Sequence, residues 1–129
     1  MEDRITELRK NTEKAQNYFS KKLAFTIGPI ELKYLMDEGK VKIIDARRRE
    51  DYDIGHIPTA ISIPKDEIDK NFDNISKDDI NVVYGYNQQC HAAYKAALTL
   101  AEYGYSAVVL EGGFKVWMED FRFASVSEK

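Results

Sequence analysis

The chain of 129 residues holds one cysteine, two histidines, one tryptophan and three prolines. A single cysteine excludes an internal disulfide framework and any all-cysteine metal site. It also fits a reducing compartment, so a cytoplasmic location is expected. Two histidines without thiolates placed nearby are too few for a zinc centre, and no metal or cofactor is expected. No apolar run approaches the roughly 18 residues that a membrane-crossing helix needs. The opening MEDRITELRK is charged and lacks an apolar centre, unlike a secretory signal. Neither sign of charge is in large excess: 19 Lys and Arg against 22 Asp and Glu leave a net charge of −3. Nucleic acid and anionic membrane are therefore not expected partners. Repeats, low-complexity tracts and linkers are also missing.

What is present is the 43% hydrophobic and 32% charged content of an ordinary globular protein, long enough for one domain with a proper core. Residues 2–22 read as one helix with a thin apolar stripe of Ile5, Leu8, Ala15, Tyr18 and Phe19. This arm packs either on the domain or on a second subunit. Gly28-Pro29 marks a helix start, and Gly39 closes that helix after Leu32, Leu35 and Met36. VKIIDA at 41–46 is a buried-strand pattern ending in the carboxylate of Asp45. A short helical turn, a break at Gly55 and a brief strand around 60–63 follow, bracketed by Pro58 and Pro64. Residues 65–72 read as a helix with Ile68 and Phe72 inward, and 80–84 as the most continuous strand. A helix over 91–103, a strand over 107–110 and a last helix through Val116, Trp117 and Phe121 complete the chain. Strands alternating with helices predict an α/β fold, a parallel sheet covered by helices on both faces. The segments divide into an arm at 1–24, a domain at 25–124 and a short tail at 125–129.

A ligand site in such a sheet lies at the carboxyl ends of the strands. The best corner is VVYGYNQQCHAAYKAA at 82–97, where a strand enters a loop and a helix start stands behind it. Loop amides and the positive helix end there favour an anion. Asp45 and Arg47 approach the same edge. Cys90 is either a reactive thiol at the helix start or a small packed hydrophobe. His91 is either a second donor to an anion, or a proton carrier for Cys90, or a polar residue that merely opens the helix. Tyr86 sits in the loop, exposed, able to wall the pocket or meet a partner. Asn87, Gln88 and Gln89 offer neutral donors and acceptors suited to a small polar ligand or a partner's backbone.

IIDAR at 43–47 with EDYDIGHIPTAISIP at 50–64, and VVYGYNQQCHAAYKAALTLAEYGYSAVVLEGGFKVWMED at 82–120, resemble the signatures of the rhodanese-like domain. The match runs in order over roughly residues 25–121. The resemblance implies a small sulfurtransferase fold and transfer of sulfur through a cysteine persulfide. It implies a six-residue active loop opening with the nucleophilic cysteine, and that position falls on Gly85. The loop is then Gly85, Tyr86, Asn87, Gln88, Gln89 and Cys90, with Cys90 at the sixth position. Glycine is no nucleophile, so Cys90 is the sole candidate persulfide carrier, acting between a small sulfur-containing anion and a thiol acceptor. The alternative is a non-catalytic module that binds an anion or a protein through residues 85–91. The family's phosphatase cousins, with cysteine and arginine in a longer loop, are excluded by both residues. The resemblance further implies that His56 hydrogen-bonds backbone in its turn, that Asp45 caps the strand end, and that Arg47 pairs with Glu50 or Asp51. Thr59, where the signature carries glycine, reads as conservative for the fold.

Overall fold

The computed structural model describes residues 2–129. Two helices open it, α1 (Glu2–Arg9) and α2 (Thr12–Phe25), where the sequence predicts one. Asn11 causes the break. Its backbone is extended and its side chain accepts the amide of Lys14, a helix N-cap that starts α2 afresh. Strand β1 (Thr26–Ile27), absent from the sequence pattern, follows at once. Next come α3 (Pro29–Glu38), β2 (Val41–Asp45), α4 (Arg49–Ile54), β3 (Ile61–Ser62), β4 (Ile80–Tyr84), α5 (Ala92–Glu102), β5 (Val108–Leu110) and α6 (Gly113–Lys115).

The five strands form one sheet in the order β1-β5-β4-β2-β3, all neighbours parallel. Because side chains alternate across a strand, β2 and β4 feed both faces. Ile43, Val82 and Tyr84 point into one core with Leu32, Phe114 and Trp117. Ile44 and Val83 point into the other with Ile68, Ala93, Ala96 and Leu100. Helices thus cover both faces, as the alternation predicts. Among the described residues, no helix is long and apolar enough to cross a membrane.

Three further segments differ from expectation. Residues 65–74 form two 3-10 turns, Lys65–Lys70 and Phe72–Asn74, instead of an α-helix. Ile68 is buried on one turn and Asn71 breaks the ladder after it. The last helix is one α turn followed by a π turn over Val116–Asp120. The wide turn lets Trp117 bury while its indole N–H donates to Ala124 O at 2.8 Å. Thr59 has φ 70°, the left-handed region. A β-branched residue there costs on the order of 1–2 kcal/mol, so its replacement of glycine carries strain and is not conservative.

Candidate functional site

β4 ends at Tyr84, whose side chain is fully buried. Its hydroxyl donates to Asp45 Oδ2 at 2.7 Å and accepts the amide of Ile57 at 3.1 Å. Burial, and then the Asp45 charge, push this phenol far above its ordinary range. Asp45, at the end of the adjacent β2, is also fully buried and receives Arg47 three ways. The Arg47 amide and Nε donate to Oδ1 at 3.0 Å, and Nη2 donates to Oδ2 at 2.7 Å. Arg47 therefore pairs with Asp45, two residues back, and not with Glu50 or Asp51. The reason is geometric: the strand end turns its own carboxylate toward the following amide, and Asp51 is engaged by Arg48 instead. Nη2 of Arg47 also reaches Gly55 O at 2.7 Å, and the guanidinium lies over the Phe114 ring at 4.3 Å. Burial opposes that charge, but the hydrogen bonds and charge of Asp45 outweigh it and raise the guanidinium above its usual range.

The 85–91 loop is stitched to the turn after β5. Gly85 O accepts the amide of Phe114 at 3.0 Å and Tyr86 O that of Lys115 at 2.8 Å. Gln88 Oε1 accepts the amide of Gly112 at 2.6 Å. So close an approach requires glycine at 113: a Cβ there would stand 2.6 Å from Gly85 O, at φ +63°. Inside the loop, the Cys90 amide donates to both the carbonyl and the side-chain oxygen of Asn87, at 3.1 and 3.0 Å. That amide is already engaged by Asn87, so the expected ring of free loop amides is incomplete at Cys90.

The sulfur of Cys90 does not pack under the helix. A Cβ built on Gly85 would lie 3.4 Å from Cys90 Sγ and 3.6 Å from the amide nitrogen of Ala93. The thiol hangs over the place where a side chain at position 85 would begin, at the start of α5. It is half-buried and lines an open cavity of about 260 Å³ with Tyr86, Arg47, Arg48, Pro64 and Lys65. Tyr86 is 48% exposed. His91 and Gln89 are exposed, and His91 faces a second, open groove with Tyr94 and Lys95. His91 thus turns away from the thiol cavity and is not brought together with Cys90 there. His56 is buried, with Nδ1 2.9 Å from Ile57 O in its turn and Nε2 3.0 Å from Glu128.

Sequence reasoning missed Arg48 and Lys65 as cavity walls, because cations on exposed segments carry no pattern. It also missed the hydroxyl of Tyr84 as the link between two strand ends. The Gly112-Gly113 pair clasps the loop from beyond β5, a role with no local signal in the chain.

A family model for the rhodanese-like domain matches residues 29–120. The structure of the BH2092 protein from Bacillus halodurans is 29% identical and superimposes with a TM-score of 0.83, covering 92% of this chain and 88% of that one. A rhodanese-like domain protein from Staphylococcus aureus is 33% identical with a TM-score of 0.65, over 72% of this chain and 90% of its own. An HTH-type transcriptional regulator of Mycobacterium tuberculosis is 31% identical over 87 residues, 67% of this chain. The chain spans 38% of the length of that curated relative. With the parallel sheet, the strand-end loop and the match over 29–120 in agreement, the chain belongs to the rhodanese-like domain family.

Proposed function

We propose that this chain carries sulfur on Cys90, as a sulfurtransferase-like domain whose thiol has moved from the first to the last position of the loop. The observation that supports it is the 3.4 Å between Cys90 Sγ and the Cβ site of Gly85. A sulfur entering from position 90 lies in contact with the point where a side chain at position 85 would begin. The start of α5, an 11-residue helix, favours a negative charge formed there.

In the reaction, the Cys90 thiolate attacks the outer sulfur of a sulfane donor. With thiosulfate, the S–S bond of the donor breaks, sulfite leaves with the bonding pair, and Cys90 becomes a persulfide anion. An acceptor thiolate then attacks the outer sulfur and takes it, and the Cys90 thiolate returns. Arg48 and Lys65 at the cavity mouth steer the anionic donor, although their own carboxylate partners Asp51 and Asp66 weaken that field.

Intact-protein mass after incubation with thiosulfate, and separately with a small persulfide donor, tests this in the wild type and in Cys90→Ser. A gain of one sulfur in the wild type alone, reversed by thiol, is expected. No gain in the folded wild type would refute it and leave the non-catalytic module, binding an anion or a protein through residues 85–91.

A further inference from the structure

Gly85 follows the last residue of β4 and is buried. Its backbone makes no demand for glycine: the positive-φ glycines are Gly39, Gly104, Gly112 and Gly113. Nor does crowding demand it. A Cβ there meets Cys90 Sγ at 3.4 Å, Ala93 N at 3.6 Å and Ala92 Cβ at 3.8 Å, all ordinary contacts. A glycine with an ordinary φ and room for a methyl forgoes stability that alanine would supply. Neither strain nor packing therefore explains why this position carries no side chain.

The missing methyl leaves a small recess between a thiol and an amide. Ala93 is the second residue of α5. The first amides of an α-helix have no intrahelical acceptor, and no described side chain caps this one. We propose that the recess at Gly85 seats the outer sulfur of a Cys90 persulfide, with the Ala93 amide as its donor, an inference that rests on the sulfur-carrying reading of Cys90.

Size supports it. The S–S bond of about 2.05 Å lets a sulfur turned from Sγ toward position 85 come within about 2 Å of the Cβ point. A methyl on that point would hold the same sulfur about 3.5 Å away. Charge supports it as well. The Cys90 thiolate attacks the outer sulfur of a small persulfide, the donor's S–S bond breaks, and the donor thiolate leaves with the bonding pair. The new persulfide then gives its proton to solvent, and its outer sulfur keeps the negative charge. An N–H donor to a charged acceptor is stronger than one to a neutral acceptor. On the open side of the thiol the cations of Arg48 and Lys65 are already paired with Asp51 and Asp66.

Sulfur exchange at equilibrium between the full chain and a mixture of glutathione persulfide and glutathione, read by intact mass, tests the seat in wild type and Gly85→Ala. Urea unfolding reports the fold, and iodoacetamide alkylation reports the bare thiol. The variant is expected to fold, to alkylate within about twofold of wild type, and to hold sulfur about tenfold less tightly, the loss of one charge-assisted hydrogen bond. Equal exchange constants in the two proteins overturn the seat and leave the Cys90 persulfide standing. A variant that unfolds denies the recess its room and overturns the seat, and so does alkylation that falls as far as sulfur binding, the mark of a displaced thiol. A folded wild type that takes up no sulfur removes the sulfur-carrying reading, and the seat with it.

Discussion

Replacing Asp45 by alanine tests the account of the site most directly. The carboxylate is fully buried and the Arg47 side chain is 8% exposed. Removing it strands a guanidinium that keeps Gly55 O and the Phe114 ring. It also leaves the Arg47 amide and the Tyr84 hydroxyl without their acceptor. Breaking a buried pair from one side costs about 3–5 kcal/mol. The remaining contacts of Arg47 place this site at the lower end, about 3 kcal/mol. For a domain of this size that is a fall in Tm of roughly 10–15 °C. Urea unfolding read by tryptophan fluorescence measures it, since Trp117 is the sole tryptophan and is buried. Asp45→Leu with Arg47→Met removes both charges together and should recover only the part of the loss due to the stranded guanidinium, because the amide at position 47 and the Tyr84 hydroxyl still lack their acceptor. A loss below about 1 kcal/mol for Asp45→Ala, or a double variant weaker than the single, would refute the reasoning.

Four other outcomes follow from the same geometry. The Tyr84 phenol is held far above its ordinary value of 10.0 by burial and by Asp45. Its contribution to stability is complete below pH 10 and is lost as pH rises beyond it, by at most ~1.4 kcal/mol per pH unit. Thermal unfolding across the alkaline range should show a slope that Tyr84→Phe flattens, and equal slopes would sink the assignment. Gly113→Ala puts a methyl 2.6 Å from Gly85 O at a left-handed φ and should cost at least about 2 kcal/mol. Gly28→Ala, with nothing within 4 Å of the added methyl, should cost only the ~0.5–1 kcal/mol of a poorer N-cap on α3 in the same denaturant titration. Thr59→Gly should raise stability by roughly 0.5–1 kcal/mol, the relief of left-handed strain less the entropy cost of glycine. An unchanged unfolding midpoint would contradict the strain. Gly85→Cys has room, with Cys90 Sγ 3.4 Å from the new Cβ. That variant should fold, take up sulfur and close a disulfide to Cys90 on mild oxidation. A folded variant that keeps two free thiols in a titration would speak against the closeness of the two positions.

The sequence by itself determined the parts of this protein that are governed by local pattern. VKIIDA and INVVY read as strands from their apolar, β-branched runs; the second is β4 residue for residue, and the first, less its last residue Ala46, is β2. Proline at 29 and glycine at 39 delimit α3, because one presets the first turn and the other accepts the left-handed stop. The family signatures located the loop. Tertiary structure decided whatever depends on neighbours distant in the chain. The two residues of β1 carry no period of their own and become a strand because β5 lies beside them. Residues 65–74 tighten into 3-10 turns because Ile68 must reach the core beneath α5. The direction of the Cys90 sulfur was also a tertiary matter. It follows from Asn87 holding the Cys90 amide and from Gly112 and Gly113 pinning the loop from beyond β5. A residue's pattern reports which face it shows to water. Where its last few ångströms point is set by hydrogen bonds to partners that only folding brings near.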